Sequence, residues 1–308
     1  LFRSTPPGLR HWGAGIFSID SGYVRPGFDA IHLIIESDRA VLVDSGTVHA
    51  VPRVLAALEA LGIARENVDW VLLTHVHLDH AGGAGALLQA LPAARATVHP
   101  RGARHLVDPS KLWQATVEVY GRAEAESAYG QIVPIAPDRL VKTGDGATVR
   151  FAGRELSFID TPGHARHHVV IRDGATGHLF TGDMFGISYR DLDVDDRVFI
   201  IPSATPTQFD PDDTVRSIDR LLALAPDAVY LTHYAQRRDV ATLGARLKRL
   251  TRRYVAIAEQ ALADEGLAAL DEPAIATQTA GLQARIRDGL TALYREELSA
   301  LGSTLPSD

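Results

Sequence analysis

The stretch that decides the fold is THVHLDHAGG, at positions 74–83 of the chain. Within six positions it contains three imidazoles and one carboxylate, all groups that bind divalent metals: His75, His77, Asp79 and His80. His75 and His77 are two residues apart, so an extended backbone places both rings on one side. Asp79 and His80 follow a turn and can face a second, neighbouring ion. The alternative is a polar turn whose histidines bond to backbone groups, but four ligands this close together favour a metal site.

The composition is that of an ordinary globular protein. The chain has 308 residues, of which 46% are hydrophobic and 22% are charged, ordinary values for a soluble protein. A net charge of -7 and the lack of an evident basic patch argue against a nucleic-acid partner. No run approaches the roughly 18 apolar residues of a membrane span, and no segment resembles a signal peptide. We therefore expect a cytoplasmic protein with a small-molecule substrate and no membrane partner.

Cysteine is absent from the sequence. Disulfide bonds and thiolate metal ligands are therefore excluded, and any metal must be held by imidazole and carboxylate groups. These ligands suit zinc, iron and manganese. The missing cysteines also fit a cytosolic protein, in which disulfides are rare.

Short apolar runs place the histidine cluster at the end of a predicted strand. Residues 30–36 and 40–44 read as adjacent strands, and residues 51–61 carry apolar side chains at helical spacing. Residues 68–73 predict a buried strand, and the cluster begins where this strand ends. A short helix is predicted at residues 84–91. The cluster therefore occupies a loop on a rigid scaffold, where functional residues are common.

The rest of the chain also alternates predicted strands and helices. A helical insertion is predicted at residues 101–131, and the region from 239 to 301 is predicted to be mostly helical, interrupted near 271–273. A further helix begins near residue 210, where acidic residues and a first-turn proline are favoured. The predicted strands of this half are residues 147–151, 155–159, 167–171, 178–181 and 228–231. The order indicates a layered α/β architecture with a helical tail.

Further polar residues follow the ends of these strands. The candidates are Asp44 after the second strand, His164 in the turn after residue 159, Asp183 after residue 181, and His233 after residue 231. Strand ends at one edge of a sheet can converge on a single cleft. Each short motif is common by itself, whereas the full set in this order is specific.

In this order the motifs resemble those of the metallo-β-lactamase-fold hydrolases, which include glyoxalase II-like thioesterases and quorum-quenching lactonases. The resemblance extends from about residue 16 to residue 234. It implies a four-layer αββα sandwich with metals at one rim of the two sheets. On this basis we predict a catalytic domain at residues 1–236, containing the 101–131 insertion, and a C-terminal helical extension at residues 237–308.

The resemblance also implies a role for each motif residue. It implies two divalent ions, with zinc favoured over iron or manganese. One ion would be held by His75, His77 and His164, the second by Asp79, His80 and His233, and the two would be bridged by Asp183. Asp44 is expected to support the site without binding metal, and one of His167 and His168 is expected to hydrogen-bond near it or to reach the cleft, with His168 the choice for a supporting role.

The activity implied by the resemblance is hydrolysis of a carboxylic ester, lactone or thioester. A metal-bridging water of lowered pKa would become the attacking hydroxide. Asp79 is expected to carry a proton to the leaving group. Tyr189, six residues after Asp183, matches a tyrosine that donates a hydrogen bond to substrate in lactonases of this superfamily, although a half-buried strand tyrosine is the alternative.

Several departures and alternatives bear on this expectation. His77 stands where the diiron flavoprotein branch carries Glu, and the missing cysteine departs from zinc β-lactamases with a Cys ligand. The distance from His80 to His164 is longer than in compact members, which the insertion would explain. A mononuclear iron dioxygenase of the persulfide dioxygenase type and a non-catalytic metal sensor remain alternatives. The C-terminal helices could form a homodimer, cover the cleft, or do both.

Overall fold

A computed structural model describes residues 6–204, 208–267 and 279–303. Within these ranges two β-sheets pack face to face, and helices cover their outer faces. The first sheet has seven strands that lie side by side in chain order. These are β1 (Leu9–Gly13), β2 (Ile16–Asp20), β3 (Ala30–Glu36), β4 (Arg39–Val43), β5 (Val68–Leu72), β6 (Arg95–Val98) and β7 (Leu140–Lys142).

The second sheet is built from the later part of the chain. Its six strands in the described ranges are β8 (Thr148–Phe151), β9 (Arg154–Asp160), β10 (Val169–Asp173), β11 (Leu179–Gly182), β12 (Val229–Leu231) and β13 (Ala235–Arg237). They lie in the order β13-β12-β11-β10-β9-β8. Both sheets are mixed: β4 to β7 are parallel neighbours in the first sheet, and β11 and β12 are parallel in the second.

The helices follow in two groups and a tail. Before the second sheet come α1 (Val51–Ala60), α2 (Leu78–Ala81), α3 (Ala84–Ala90), α4 (Ala103–Val107), α5 (Ser110–Tyr120) and α6 (Arg122–Tyr129). After β11 come α7 (Pro211–Leu222), α8 (Val240–Asp264) and α9 (Thr279–Ala300). Asp210 caps α7 by accepting a hydrogen bond from the Asp213 backbone N–H at 2.8 Å, and Pro211 occupies its first turn.

Three apolar layers hold the sheets and helices together. Ile34 and Val41 of the first sheet contact Phe158 and Phe180 of the second in the central layer. One outer layer packs the first sheet on α1 and α3, and the other packs the second sheet on α7 and α8. Strands covered on both faces must be apolar almost throughout, and β3 accordingly buries its first five residues. The arrangement is the predicted αββα sandwich, with the predicted helical extension at its C-terminal end.

Most predicted elements are confirmed, with local differences. The strand expected at residues 167–171 begins only at Val169, because His167 and His168 lie in the turn before it. The short strands β1, β2, β6, β7 and β13 were not predicted. The interruption expected near residues 271–273 lies outside the described residues. The division of the chain at residue 236 stays a prediction. None of the described helices is long and apolar enough to span a membrane.

Candidate metal centre

The carboxyl ends of four strands meet at one rim of the sandwich. Asp44 directly follows β4 and Thr74 closely follows β5, and these two strands are parallel neighbours. Asp183 follows β11 and His233 closely follows β12, which are parallel neighbours in the other sheet. His164 comes from the loop after β9. Parallel neighbours end at the same edge, so both sheets direct their polar residues to one place.

His75, His77 and His164 form a compact group of three imidazoles. His75 Nε2 lies 2.8 Å from His77 Nδ1, and His164 Nε2 lies 3.0 Å from the same atom. Burial, together with the neighbouring imidazoles, lowers the pKa of all three rings below the ordinary histidine value. The rings are therefore neutral at neutral pH, which is the form that binds metals. The structure thus brings together the three residues predicted for one ion.

Asp79, His80 and His233 form the second group, in which one ligand atom of each lies within 4.8 Å of the others. Asp183 stands between the two groups. Its Oδ1 lies 3.2 Å from His80 Nε2 and 3.6 Å from His233 Nε2, while its Oδ2 lies 3.4 Å from His164 Nε2. One carboxylate therefore faces both groups, the position required of a bridging ligand.

The second group has the opposite electrostatics to the first. Burial disfavours protonation of His80 and His233, but the carboxylates of Asp183 and Asp79 outweigh it. The pKa of His80 is raised well above its ordinary value, and that of His233 is raised to about 9. Burial is likewise outweighed for Asp79 and Asp183, whose pKa values are lowered by the facing imidazoles. Protons thus hold the positive charge that a divalent cation would supply.

Two buried atoms at the centre of this group have unused ligand positions. His80 Nε2 and Asp183 Oδ1 are inaccessible to solvent and face each other at 3.2 Å, and neither makes a hydrogen bond to any other group in the described part of the chain. Burying an imidazole nitrogen and a carboxylate oxygen that contact only each other is costly. A divalent cation bound by both atoms removes that cost, so the donor set fits metal ions.

Backbone carbonyls fix the orientation of two of the imidazoles. His233 donates its Nδ1–H to the Phe28 carbonyl at 2.8 Å, and His164 donates its Nδ1–H to the Ser203 carbonyl at 3.1 Å. Each bond leaves the Nε2 atom directed at the centre, as metal-binding histidines require. Ser203 also donates its hydroxyl to Asp183 Oδ2 at 3.0 Å. Ser203 and Phe28 were not predicted, because a backbone carbonyl leaves no signal in residue type.

Asp44 fills the supporting position expected for it. It is buried, and its carboxylate accepts the Nδ1–H of His80 at 2.8 Å. It also accepts hydrogen bonds from the Thr74 backbone N–H at 2.8 Å, the Thr74 hydroxyl at 2.9 Å and the Thr232 hydroxyl at 3.1 Å. The Thr74 hydroxyl in turn accepts the Nδ1–H of His75 at 3.1 Å. One carboxylate therefore orients imidazoles of both groups.

His168 lies behind the centre. Its Nε2 accepts the Asp183 backbone N–H at 3.3 Å, and its Nδ1 donates to the Thr161 hydroxyl at 2.9 Å. The fit is tight, because a Cβ added at Gly182 would lie 2.7 Å from His168 Nε2, and Gly182 has a φ of +49°. His168 therefore positions the loop that carries Asp183. His167 instead lies with its ring centroid 5.8 Å from that of His77.

Asp29 is a buried carboxylate near the centre that sequence reasoning missed. It is 1% exposed, and neither of its oxygens accepts a hydrogen bond from the described residues. Burial raises the pKa of Asp29 to about 7, despite the nearby imidazoles of His233 and His80. The signal available was slight: one acidic residue directly before a buried strand.

Aromatic side chains form a wall beside the second group. Tyr189 stacks on Phe28 with ring centroids 4.9 Å apart, and Phe28 meets His233 edge-on at 5.5 Å. The row continues through Tyr23, whose ring centroid lies 5.7 Å from that of Phe28 and 5.7 Å from that of Tyr129. The hydroxyl of Tyr23 donates a hydrogen bond to that of Tyr129 at 3.0 Å. Burial and the Asp183 carboxylate raise the pKa of Tyr189, so its phenol stays neutral. We call this row the aromatic wall.

Comparison with known proteins gives relatives that share this architecture. The metallo-beta-lactamase fold-containing protein ST1585 of Sulfurisphaera tokodaii is 26% identical over 224 residues, 71% of this chain and 78% of that protein. The solved structure of ST1585 superposes with a TM-score of 0.59 at 23% identity, covering 77% of this chain and 86% of ST1585. At this identity the likeness shows the fold.

Two further relatives carry enzyme names. The acyl-coenzyme A thioesterase MBLAC2 of Gallus gallus is 29% identical over 56% of this chain and 63% of its own length. The hydroxyacylglutathione hydrolase of Stenotrophomonas maltophilia is 31% identical over 50% of this chain and 44% of its own length. The match therefore spans less than two thirds of the first enzyme and less than half of the second.

The family is established by a match to a family profile. The sequence profile of the metallo-beta-lactamase superfamily matches residues 24–233, which include every predicted ligand from His75 to His233. The matched range covers more than two thirds of the chain and contains ten of the thirteen described strands, all except β1, β2 and β13. This protein therefore belongs to the metallo-beta-lactamase superfamily.

Proposed function

We propose that this protein is a dinuclear-metal hydrolase that cleaves a carboxylic ester, thioester or lactone. The observation that carries the proposal is the convergence of seven ligand side chains from separate strand ends, with Asp183 facing both groups. Two relatives are named as an acyl-coenzyme A thioesterase and a hydroxyacylglutathione hydrolase, both enzymes that hydrolyse thioesters.

The two groups would hold one ion each. His75, His77 and His164 would bind the first ion, and Asp79, His80 and His233 the second, with Asp183 shared. Bound there, divalent ions supply a Lewis acid for the substrate carbonyl and a water molecule of lowered pKa. Imidazole and carboxylate ligands without thiolate fit zinc, and also iron or manganese.

Asp79 and Tyr189 are the residues proposed to act on protons and charge. Asp79 is the more exposed of the two central carboxylates, at 23% against 6% for Asp183, and its oxygen lies 3.5 Å from His233 Nε2. Its lowered pKa keeps it ionised, so it can accept a proton from the attacking water and pass it to the leaving group. The neutral phenol of Tyr189 can donate a hydrogen bond to the oxygen on which negative charge develops.

The aromatic wall supports an apolar acyl group on the substrate. Tyr189, Phe28, Tyr23 and Tyr129 present ring faces and edges in one row beside His233, and Tyr23 and Tyr129 also line a cavity of about 550 Å³. Rings of this kind bind apolar groups with a defined orientation. A carbonyl placed at the metals would leave its acyl chain against this wall.

The proposal is tested by metal analysis of the purified protein combined with a chromogenic panel of esters, thioesters and lactones. We expect two divalent ions per chain and hydrolysis of at least one class. His164→Ala and Asp183→Ala should each abolish hydrolysis while the fold is retained. His11→Ala, a change at an exposed histidine far from the ligand set in sequence, is the matched control and should keep full activity.

Three results would count against the proposal. One is two bound ions without cleavage of any substrate, which favours a non-catalytic sensor. Another is a single iron with oxygen consumption in the presence of a persulfide, which favours a dioxygenase. The third is undiminished hydrolysis by His164→Ala or Asp183→Ala.

A further inference from the structure

A cavity of about 730 Å³ lies near the His75–His77–His164 group. The imidazole of His167 stands between the two. The cavity is lined by α4, by the end of β7 and by the turn before β10. Four cationic side chains line it: Arg101, Arg104, Lys142 and Arg166. We call it the basic cavity. The sequence shows no evident basic patch because these residues are spread over more than sixty positions and meet only in the fold.

The charge in the basic cavity is not balanced from within. No acidic side chain lines it, and none of the ion pairs found in the described ranges involves its four cations. Exposed arginines elsewhere do pair with acids, as Arg122 does with Glu126 and Arg150 with Glu155. In a chain of net charge -7, a cavity with four unpaired cations is selective for anions.

His167 connects the basic cavity to the metal centre. This residue lines the cavity, is only 8% exposed, and has an Nδ1 atom that meets no partner in the described part of the chain. Its ring centroid lies 5.8 Å from that of His77 and 6.2 Å from that of His75. A buried polar atom without a partner on a cavity wall indicates a ligand contact.

Two of the arginines are already partly oriented. Arg101 donates one guanidinium N–H to the Arg166 carbonyl at 3.3 Å. This bond connects the segment before α4 to the turn before β10. Arg104 donates its Nε–H to His105 Nε2, also at 3.3 Å. The remaining guanidinium N–H groups are free to face an anion. A planar fork with parallel N–H donors matches the oxygens of phosphate.

We propose that the basic cavity binds a phosphate-bearing part of the substrate while the scissile carbonyl lies at the metal centre. The proposal rests on the hydrolase function proposed above and specifies its substrate class: a phosphorylated ester or thioester. One carboxylate cannot neutralise four positive charges, so a group that carries several negative charges fits the cavity best. A cavity of about 730 Å³ has room for the phosphorylated part of a larger substrate, and the chain's net charge of -7 disfavours a nucleic acid.

The test compares hexanoyl-coenzyme A, which carries phosphates, with hexanoyl-N-acetylcysteamine, the same thioester without them. S-hexanoylglutathione, which carries carboxylates but no phosphate, is the third substrate. For the metal-loaded enzyme we expect kcat/KM to be highest for the phosphorylated thioester. The double variant Arg104→Gln/Lys142→Gln should lower kcat/KM for the phosphorylated thioester by about tenfold for each lost contact. It should leave kcat/KM for the N-acetylcysteamine thioester unchanged.

Arg172→Gln is the matched control, because Arg172 is exposed on β10 and does not line the cavity. This change removes an arginine charge outside the cavity, and it should leave kcat/KM unchanged for both the coenzyme A thioester and the N-acetylcysteamine thioester. All the substituted side chains are exposed, so the variants should fold. A second readout, independent of turnover, is calorimetric binding of adenosine 3′,5′-bisphosphate to the metal-loaded protein, which the double variant should weaken and added salt should weaken further.

The outcomes separate this proposal from the proposed function. Hydrolysis of all three thioesters at equal kcat/KM, unaffected by the double variant, would overturn the phosphate site and leave the hydrolase intact. A preference for S-hexanoylglutathione would overturn it in favour of a carboxylate site. Bisphosphate binding that the double variant abolishes, without hydrolysis of any ester, thioester or lactone, would support the site and contradict the hydrolase.

Discussion

The replacement Asp44→Asn tests how the outer hydrogen bonds hold the second metal group. Asp44 has a φ of +60°, a conformation that asparagine tolerates, so the backbone should not change. The asparagine oxygen can still accept both hydrogen bonds from Thr74, and its NH₂ can donate to a rotated Thr232 hydroxyl. Only the bond from His80 cannot be kept, because an NH₂ group faces its Nδ1–H.

The size of the effect follows from that one bond. His80 can relieve the clash only by moving its proton to Nε2, the atom that faces Asp183 at 3.2 Å and would bind metal. Hydrogen bonds to charged groups contribute roughly 1.5–3 kcal/mol, which corresponds to about a 10- to 100-fold change in affinity. We therefore expect one ion to bind as in the wild type and the other about 10- to 100-fold more weakly.

The assay is a zinc titration of chelator-stripped protein in competition with a chromophoric chelator. The matched control is Asp160→Asn, which alters a carboxylate 3.4 Å from His99, a histidine outside the ligand set. This control should bind both ions normally. Unchanged affinity for the second ion in Asp44→Asn would refute the role assigned to Asp44.

Three further predictions concern protons at the centre. With the pKa of His233 raised to about 9, the second ion must displace a proton, so its affinity should rise at least about tenfold per pH unit from pH 7 to 9, and a flat profile would contradict this. The pKa of Asp29 is raised from 3.8 to about 7, so the metal-free fold carries a penalty of about 4 kcal/mol above pH 7 that fades towards pH 4. In urea unfolding of metal-free protein, Asp29→Asn should therefore be more stable than wild type at pH 8 but not at pH 4, and equal stability at pH 8 would exclude the penalty. Tyr189→Phe should lower kcat about 10- to 100-fold with little change in KM, whereas an unchanged kcat would assign Tyr189 to packing alone.

The ligand residues could be predicted because each lies in a segment that follows an apolar strand. Asp183 after β11 and His233 after β12 carry their signal in a few neighbouring letters, and the order of the motifs supplied the rest. The same locality indicated a layered α/β architecture, since strands covered on both faces, such as β3, are mostly apolar, whereas the αββα arrangement was predicted from the resemblance.

The parts that were missed depend on contacts between distant segments. Ser203 reaches His164 across thirty-nine positions through its backbone carbonyl, which any residue could supply. His167 was expected in a strand, but the turn residues before Val169 place it on the wall of the basic cavity. The cavity itself needs Arg101 and Arg166 to meet, which no local pattern indicates.

The central claim is that the converging histidines and aspartates form a hydrolytic centre with two metals. It is tested most directly by the hydrolysis rate of chelator-stripped protein on a thioester as zinc is added back. We predict no hydrolysis without metal, and a rate that rises until two ions are bound per chain. Two bound ions without hydrolysis of any ester, thioester or lactone would contradict the account, as would a full rate in the His164→Ala variant.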